Sequence, residues 1–107
     1  MAYQEKNLVW LGNSREVLKG FPKVVRARLG SEIYRLQLGV APINARPMKT
    51  VGRGVKELRA RDSNNQYRTI YVIKKADGVV IIHAFVKKSQ KTSKQDIAIA
   101  KQRFNEI

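Results

Sequence analysis

The chain has no cysteine, a single histidine and only eight acidic residues among its 107. Without cysteine there is no disulfide framework and no thiolate ligand set for a metal. With His83 alone, a nuclease built on two imidazoles is excluded. The eight carboxylates are scattered singly, so the clustered acids of a two-metal nuclease are missing too. No metal or other cofactor is expected. No run approaches ~18 consecutive apolar residues, and the opening MAYQEKN is polar with no apolar core of a signal peptide. The expectation is a cytoplasmic protein with no classical signal and no membrane span.

Against that scarcity of acids stand 22 lysines and arginines, for a formal net charge of +14. Such a charge favours polyanions, so nucleic acid or an acidic protein is the first partner to expect. Hydrophobic residues make up 43% and charged ones 28%, the balance of a folded globule. The length suits one domain spanning residues 1–107, burying roughly 65% of the unfolded chain's surface.

The centre of the chain is Gln66 to Lys94, QYRTIYVIKKADGVVIIHAFVKKSQKTSK. Two apolar strands, Gln66 to Lys75 and Val79 to Lys87, flank the Ala76-Asp77-Gly78 turn and run into Lys87, Lys88, Lys91 and Lys94. The continuous apolar character of Val79 to Lys87 marks an interior strand. Upstream, Asn7 to Leu11 (NLVWL) reads as a short buried strand. Ser14 is placed to cap a brief helix that Gly20-Phe21-Pro22 breaks. From Pro22 to Leu38, Val25, Leu29, Ile33 and Leu36 recur at helical spacing, with Gly39 past the end. Val40 to Gly54 holds two prolines and two glycines and reads as a loop; it carries Arg46, Lys49 and Arg53 without one acid. Val55 to Arg61 alternates as a strand, and Asp62-Ser63-Asn64-Asn65 has turn chemistry. Thr92 or Ser93, each followed three residues later by Gln95 or Asp96, caps a last helix with Ile97, Ala100 and Phe104 on its apolar face. The order is β-α-α-β-β-β-α. The fold class is α+β, an antiparallel meander packed by an N-terminal helical hairpin and a C-terminal helix.

The order of elements, together with Val55-Lys56-Glu57-Leu58-Arg59, Tyr67-Arg68-Thr69-Ile70-Tyr71 and His83-Ala84-Phe85-Val86-Lys87-Lys88-Ser89-Gln90-Lys91-Thr92, resembles the RelE/ParE toxin superfamily and within it the phage-derived HigB-like branch. The resemblance spans essentially the whole chain. It implies the toxin of a type II toxin–antitoxin system that cleaves mRNA on the ribosome without a metal, with a helix-turn-helix (HigA-like) antitoxin as partner. The alternative within the same superfamily is a ParE-like gyrase inhibitor, or more broadly a non-enzymatic nucleic-acid binder. By the resemblance, Arg68 matches a strand arginine that contacts the scissile phosphate, and Lys88 stands where a second cation precedes the final helix. An aromatic early in the last helix is missing, which leaves Phe85 to stack on a base.

Elementary chemistry supports part of this. Arg and Lys can stabilise a phosphorane-like transition state while the site positions the substrate 2′-hydroxyl. Clustered cations depress one another's pKa, so a lysine such as Lys87 or Lys88 can serve as general base; Glu57, on a strand near the arginines, is the other candidate. The sequence does not choose between them. Arg46, Lys49, Arg53, Arg59, Lys91 and Lys94 are expected to grip RNA phosphates. Strict alternation puts Arg68 on a face with Ile70 and Val72, where a cation needs a partner or a ligand. The same rule groups His83 with Ile81 and Phe85, which favours a structural histidine over a catalytic one. Trp10 and Phe104 are expected in the core.

Overall fold

The computed structural model describes residues 4–107; the first three residues of the polar N-terminal stretch lie outside it. Its elements are β1 (Leu8–Trp10), α1 (Ser14–Lys19), α2 (Lys23–Gln37), β2 (Ala45–Pro47), β3 (Lys56–Arg61), β4 (Gln66–Lys74), β5 (Gly78–Lys87) and α3 (Lys94–Asn105). The five strands form one mixed sheet in the order β1-β5-β4-β3-β2. The chain is α+β, with β3, β4 and β5 as the antiparallel meander and β1 added parallel to β5. No helix is long and apolar enough to cross a membrane among the described residues.

Each turn of the meander has a local cause. The Asp62 carboxylate accepts the amides of Asn64 and Asn65 at 2.9 and 2.8 Å and the Tyr67 hydroxyl at 3.0 Å, closing the β3–β4 hairpin. Gly78 opens β5 with a φ of 88°, and a Cβ there would fall 2.5 Å from the Asn7 carbonyl oxygen. Only glycine lets β1 approach that closely.

The sheet is covered on both faces. Leu18, Phe21, Val25, Leu29, Ile33 and Leu36 of the α1–α2 hairpin pack on Leu58, Tyr67, Tyr71 and Ile81. On the opposite face Ala100 and Phe104 of α3 pack with Val55, Ile70, Val72, Val80 and Ile82. Both faces being buried accounts for the unbroken apolar run of β5, which lies between β1 and β4. Trp10 and Phe104 pack against these two cores, partly buried.

Four details depart from the sequence reading. The NLVWL stretch is an edge strand rather than a buried one, with Val9 36% exposed, because only β5 borders it. Ser14 is not the cap of α1: Asn13 holds that position, and the buried Ser14 hydroxyl donates instead to the Ile81 carbonyl at 3.4 Å, tying α1 to the sheet. The stretch from Val40 to Gly54 contains a strand, β2, paired with β3 through Ala45↔Leu58 and Pro47↔Lys56. It is three residues long and ends in proline, so it carries no alternation to detect and sits on the edge that proline tolerates. Finally, a β-bulge interrupts strict alternation. Ile70 pairs with His83 but Tyr71 with Ile81, so Ile82 is the extra residue on β5. Ile81 therefore packs under α2, while His83 stacks on Phe85 on the other face, their ring centroids 5.2 Å apart.

Leu29 is fully buried at the α2–sheet contact, whereas Val24, one turn away, is 59% exposed. Leu29→Ala is expected to destabilise the fold by about 2–5 kcal/mol, and Val24→Ala by no more than about 0.5 kcal/mol. Urea denaturation of the two variants checks the assignment of the core face.

Candidate functional site

Alternation along β4 turns Arg68 to the same face as Ile70 and Val72, where its cross-strand neighbours are Arg59 and Phe85. It is only 2% exposed, an unusual place for a guanidinium. Nη2 donates to Gln66 Oε1 at 2.7 Å and Nη1 to the Tyr67 carbonyl at 3.2 Å. Nε lies 3.5 Å from Glu57 Oε1, close enough for an ion pair but without a hydrogen bond. Glu57 is itself 8% exposed, and its Oε2 has no partner within the protein; neither does the buried Nε of Arg59. Buried polar atoms without partners are uncommon in a folded core, and Thr69 Oγ1 on β4 is another.

Around this pair the strands gather further cations. Arg46 faces Glu57 across the β2–β3 ladder, Arg59 is the register partner of Arg68, and Lys87 ends β5 beside Gln66. The Arg68 pKa is pushed below the ordinary arginine value, first by burial and then by Arg59 and Arg46, with Glu57 opposing. Lys87 is lowered in the same way, by burial and then chiefly by Arg68, again with Glu57 opposing. Four cations thus share one carboxylate. Arg46, Arg59 and Arg68 also line one side of an open groove of about 790 Å³, bounded by α2, the segment around Ile43 and the ends of β3 and β4.

The other sequence candidates are distributed differently. Lys88 leaves the strand and is exposed, while Lys87, the last residue of β5, is lowered in pKa in part by Arg68. Lys91 and Lys94 are exposed on the approach to α3. Lys49 and Arg53 lie on the β2–β3 connection, beyond the Lys56 end of β3, while Arg59 and Lys87 lie toward its Arg61 end. Phe85 does not offer a stacking surface: it is 6% exposed, held in the core between sheet and α3. That expectation is corrected, because the bulge and the stack with His83 fix Phe85 inward. The partner that the sequence reading required for Arg68 is Glu57, which a diagonal across β3 and β4 brings to it.

Residues 16–105 match the model of the family described as phage-derived protein Gp49-like. The chain belongs to that family. Its members are RelE-like, toxin-type proteins. No curated protein matches the chain significantly.

In this Gp49-like chain, two contributors escape a reading of the sequence. Gln66 looks like an ordinary strand-end residue, yet its carbonyl oxygen holds Arg68. Arg103 looks like surface charge on α3, yet its Nη1 donates to the Ile82 carbonyl at 3.0 Å and reaches His83 Nδ1 at 3.3 Å, while Nη2 donates to Asn13 at 2.9 Å. The carbonyl that the bulge disturbs is thus capped from the helix. His83 Nε2 contacts Asp96 Oδ1 at 2.8 Å, and the Asp96 amide donates to Ser93 Oγ at 3.0 Å, which makes Ser93 the cap of α3. With Arg103 donating to Nδ1, the proton belongs on Nε2, facing Asp96; His83 is neutral and satisfied on both sides. Its pKa is lowered mainly by burial, against the pull of Asp96 and with Arg103 adding to the depression. Asp96 in the first turn also offsets the lysines that open this helix.

Two outcomes follow from these contacts. Arg68→Ala should take from buried Glu57 its ion-pair partner at 3.5 Å, leaving only the looser charges of Arg46, Arg59 and Lys87, and cost up to about 3–5 kcal/mol, whereas replacing both residues by leucine should restore most of that loss; denaturation curves of the single and double variants decide it. Above the ordinary histidine pKa of about 6.5 His83 is neutral in both states and stability is independent of it. As pH falls below that value the unfolded chain takes up the proton while the native state resists, so stability declines with falling pH. His83→Gln should flatten this slope between about pH 7.5 and 5.5, above the range in which ordinary carboxylates titrate. A wild-type slope in the variant would show that His83 does not titrate with folding.

Proposed function

We propose that this chain is the toxin of a type II toxin–antitoxin pair, of the HigB-like branch, and that it cleaves mRNA on the ribosome without a metal. The observation that carries the reading is the buried Arg68–Glu57 pair ringed by Arg46, Arg59 and Lys87. Four cations around one carboxylate leave a net positive charge, which suits a phosphodiester passing to a dianionic phosphorane. In the proposed reaction a base takes the 2′-hydroxyl proton and the 2′-oxygen attacks the adjacent phosphorus. The bond to the 5′-oxygen breaks and that oxygen takes a proton from water, leaving a 2′,3′-cyclic phosphate and a 5′-hydroxyl. Arg68, fixed by Gln66, the Tyr67 carbonyl and Glu57, meets the developing charge with a guanidinium that need not reorganise. Lys87 is the better base of the two sequence candidates. Burial and the neighbouring Arg68 shift it toward the neutral amine, the direction a base needs, whereas Glu57 is committed to holding Arg68. Lys88, Lys91 and Lys94, exposed beyond β5, suit contacts to ribosomal RNA. The cognate antitoxin would be an acidic, helix-turn-helix (HigA-like) protein that covers these charges, and both would act in the cytoplasm.

The test is single-turnover cleavage of mRNA on programmed ribosomes, in EDTA with polyamines to keep the ribosomes intact. Arg68→Lys is the informative variant, because it keeps a charge beside Glu57 while losing the fork that grips two phosphate oxygens. Its rate is expected to drop at least ~10-fold, toward the ~10²–10³ loss typical of removing one preorganised charge stabiliser, with a melting temperature close to wild type. Wild-type cleavage by Arg68→Lys would refute the site, and no cleavage by the wild-type protein would refute the activity.

A further inference from the structure

The groove beside Arg68 extends well beyond the residues that the proposed reaction uses. Five cations line it, Arg28 on α2, Arg46 on β2, Arg59 and Arg61 on β3, and Arg68 on β4, and every one of them is arginine. Arg28 and Arg61 are remote in sequence from the lysine run after β5 and belong to no motif. The one carboxylate lining the groove, Glu32, is engaged: its Oε2 accepts the Asn44 amide at 2.9 Å and its Oε1 lies 4.0 Å from Arg35. One carboxylate against five arginines leaves the lining of the groove positive. Ile43 stands on its rim 82% exposed, the most exposed large apolar side chain among the described residues. Arg59 and Arg68 also line the groove, and their buried Nε atoms have no hydrogen-bond partner within the protein, Arg68 Nε lying 3.5 Å from Glu57 Oε1.

We infer that this groove is the track for a single-stranded RNA segment adjoining the phosphate held at Arg68, with Arg28 and Arg61 each gripping a further phosphate and Ile43 packing on a base. The inference rests on the cleavage reading for its inner end and adds the direction in which the strand runs. Three features select this ligand. Arginine without lysine favours bidentate phosphate contacts and flat stacking on bases. A volume of about 790 Å³ accepts a few unpaired nucleotides, within the range of small-ligand sites, but not a duplex. Continuity with Arg68 makes the groove an extension of the cationic cluster rather than a separate surface. An acidic protein segment would also pair with these arginines, but it offers no base for the exposed Ile43 to pack on.

The experiment measures binding of a fluorescent, 2′-O-methyl single-stranded RNA dodecamer, which cannot be cut through its 2′-oxygens, by anisotropy across a salt series. Arg28→Glu/Arg61→Glu is compared with Arg15→Glu/Lys101→Glu, an equal charge change at exposed positions on α1 and α3. The groove variant should bind at least ten times more weakly than this control, and its salt slope should fall by about 1.4, two phosphate contacts at ~0.7 each. Equal losses in the two variants would overturn the inference, and so would failure of the wild-type protein to bind the RNA or tighter binding of a poly-glutamate peptide than of RNA. The cleavage reading is judged separately by Arg68→Lys on ribosomes. Loss of cleavage there with normal RNA binding by the groove variant sinks the track and spares the activity. A groove-dependent RNA affinity in a protein that never cleaves does the reverse.

Discussion

The nine-residue pairing of β4 with β5 is the constraint from which the molecule is assembled. It is the longest ladder in the sheet, and it places Tyr67, Tyr71, Val79 and Ile81 toward α2 and Ile70, Val72, Val80 and Ile82 toward α3. Two helical layers can then be held by one pair of strands. The bulge at Ile82 is part of the same arrangement. It switches the parity of β5 midway, so that His83 and Phe85 join the α3 face while Ala84 continues the α2 face.

The bulge also decides how α3 is attached. Apolar contact through Ala100 and Phe104 gives α3 a narrow footprint. A polar line supplements it, running from the Ser93 cap through Asp96 to His83 and from Arg103 to the Ile82 carbonyl and Asn13. Each of these groups is satisfied by another in the line, the condition under which a part-buried polar network specifies one docking geometry. The helix is thereby fixed at the β1–α1 end of the sheet, and the other end is left to charge.

At that other end the balance of forces is different. Burying a guanidinium is costly, and the Glu57 contact at 3.5 Å without a hydrogen bond offsets the cost only in part. Arg46, Arg59 and Lys87 raise it further by repulsion. The cluster is thus a cost that the contacts within the protein do not fully offset.

Much of the layout was open to inspection in the residues themselves. The 3.6-residue spacing of Val25, Leu29, Ile33 and Leu36, the turn chemistry of Asp62 to Asn65 and the unbroken apolar run after Gly78 each reflect local physics, and each element stands where that physics puts it. The net charge of +14 and the lack of cysteine likewise belong to composition and need no fold. Tertiary structure decided what depends on register. β2 is three residues held only by its pairing with β3. The face of His83 and the burial of Phe85 turn on a bulge whose position no local pattern announces. The hold of Gln66 on Arg68 and the meeting of Glu57 with it are contacts between side chains on neighbouring strands or at strand ends. Sequence names the charges; only the pairing of strands determines which of them share a dielectric, and hence which can act together.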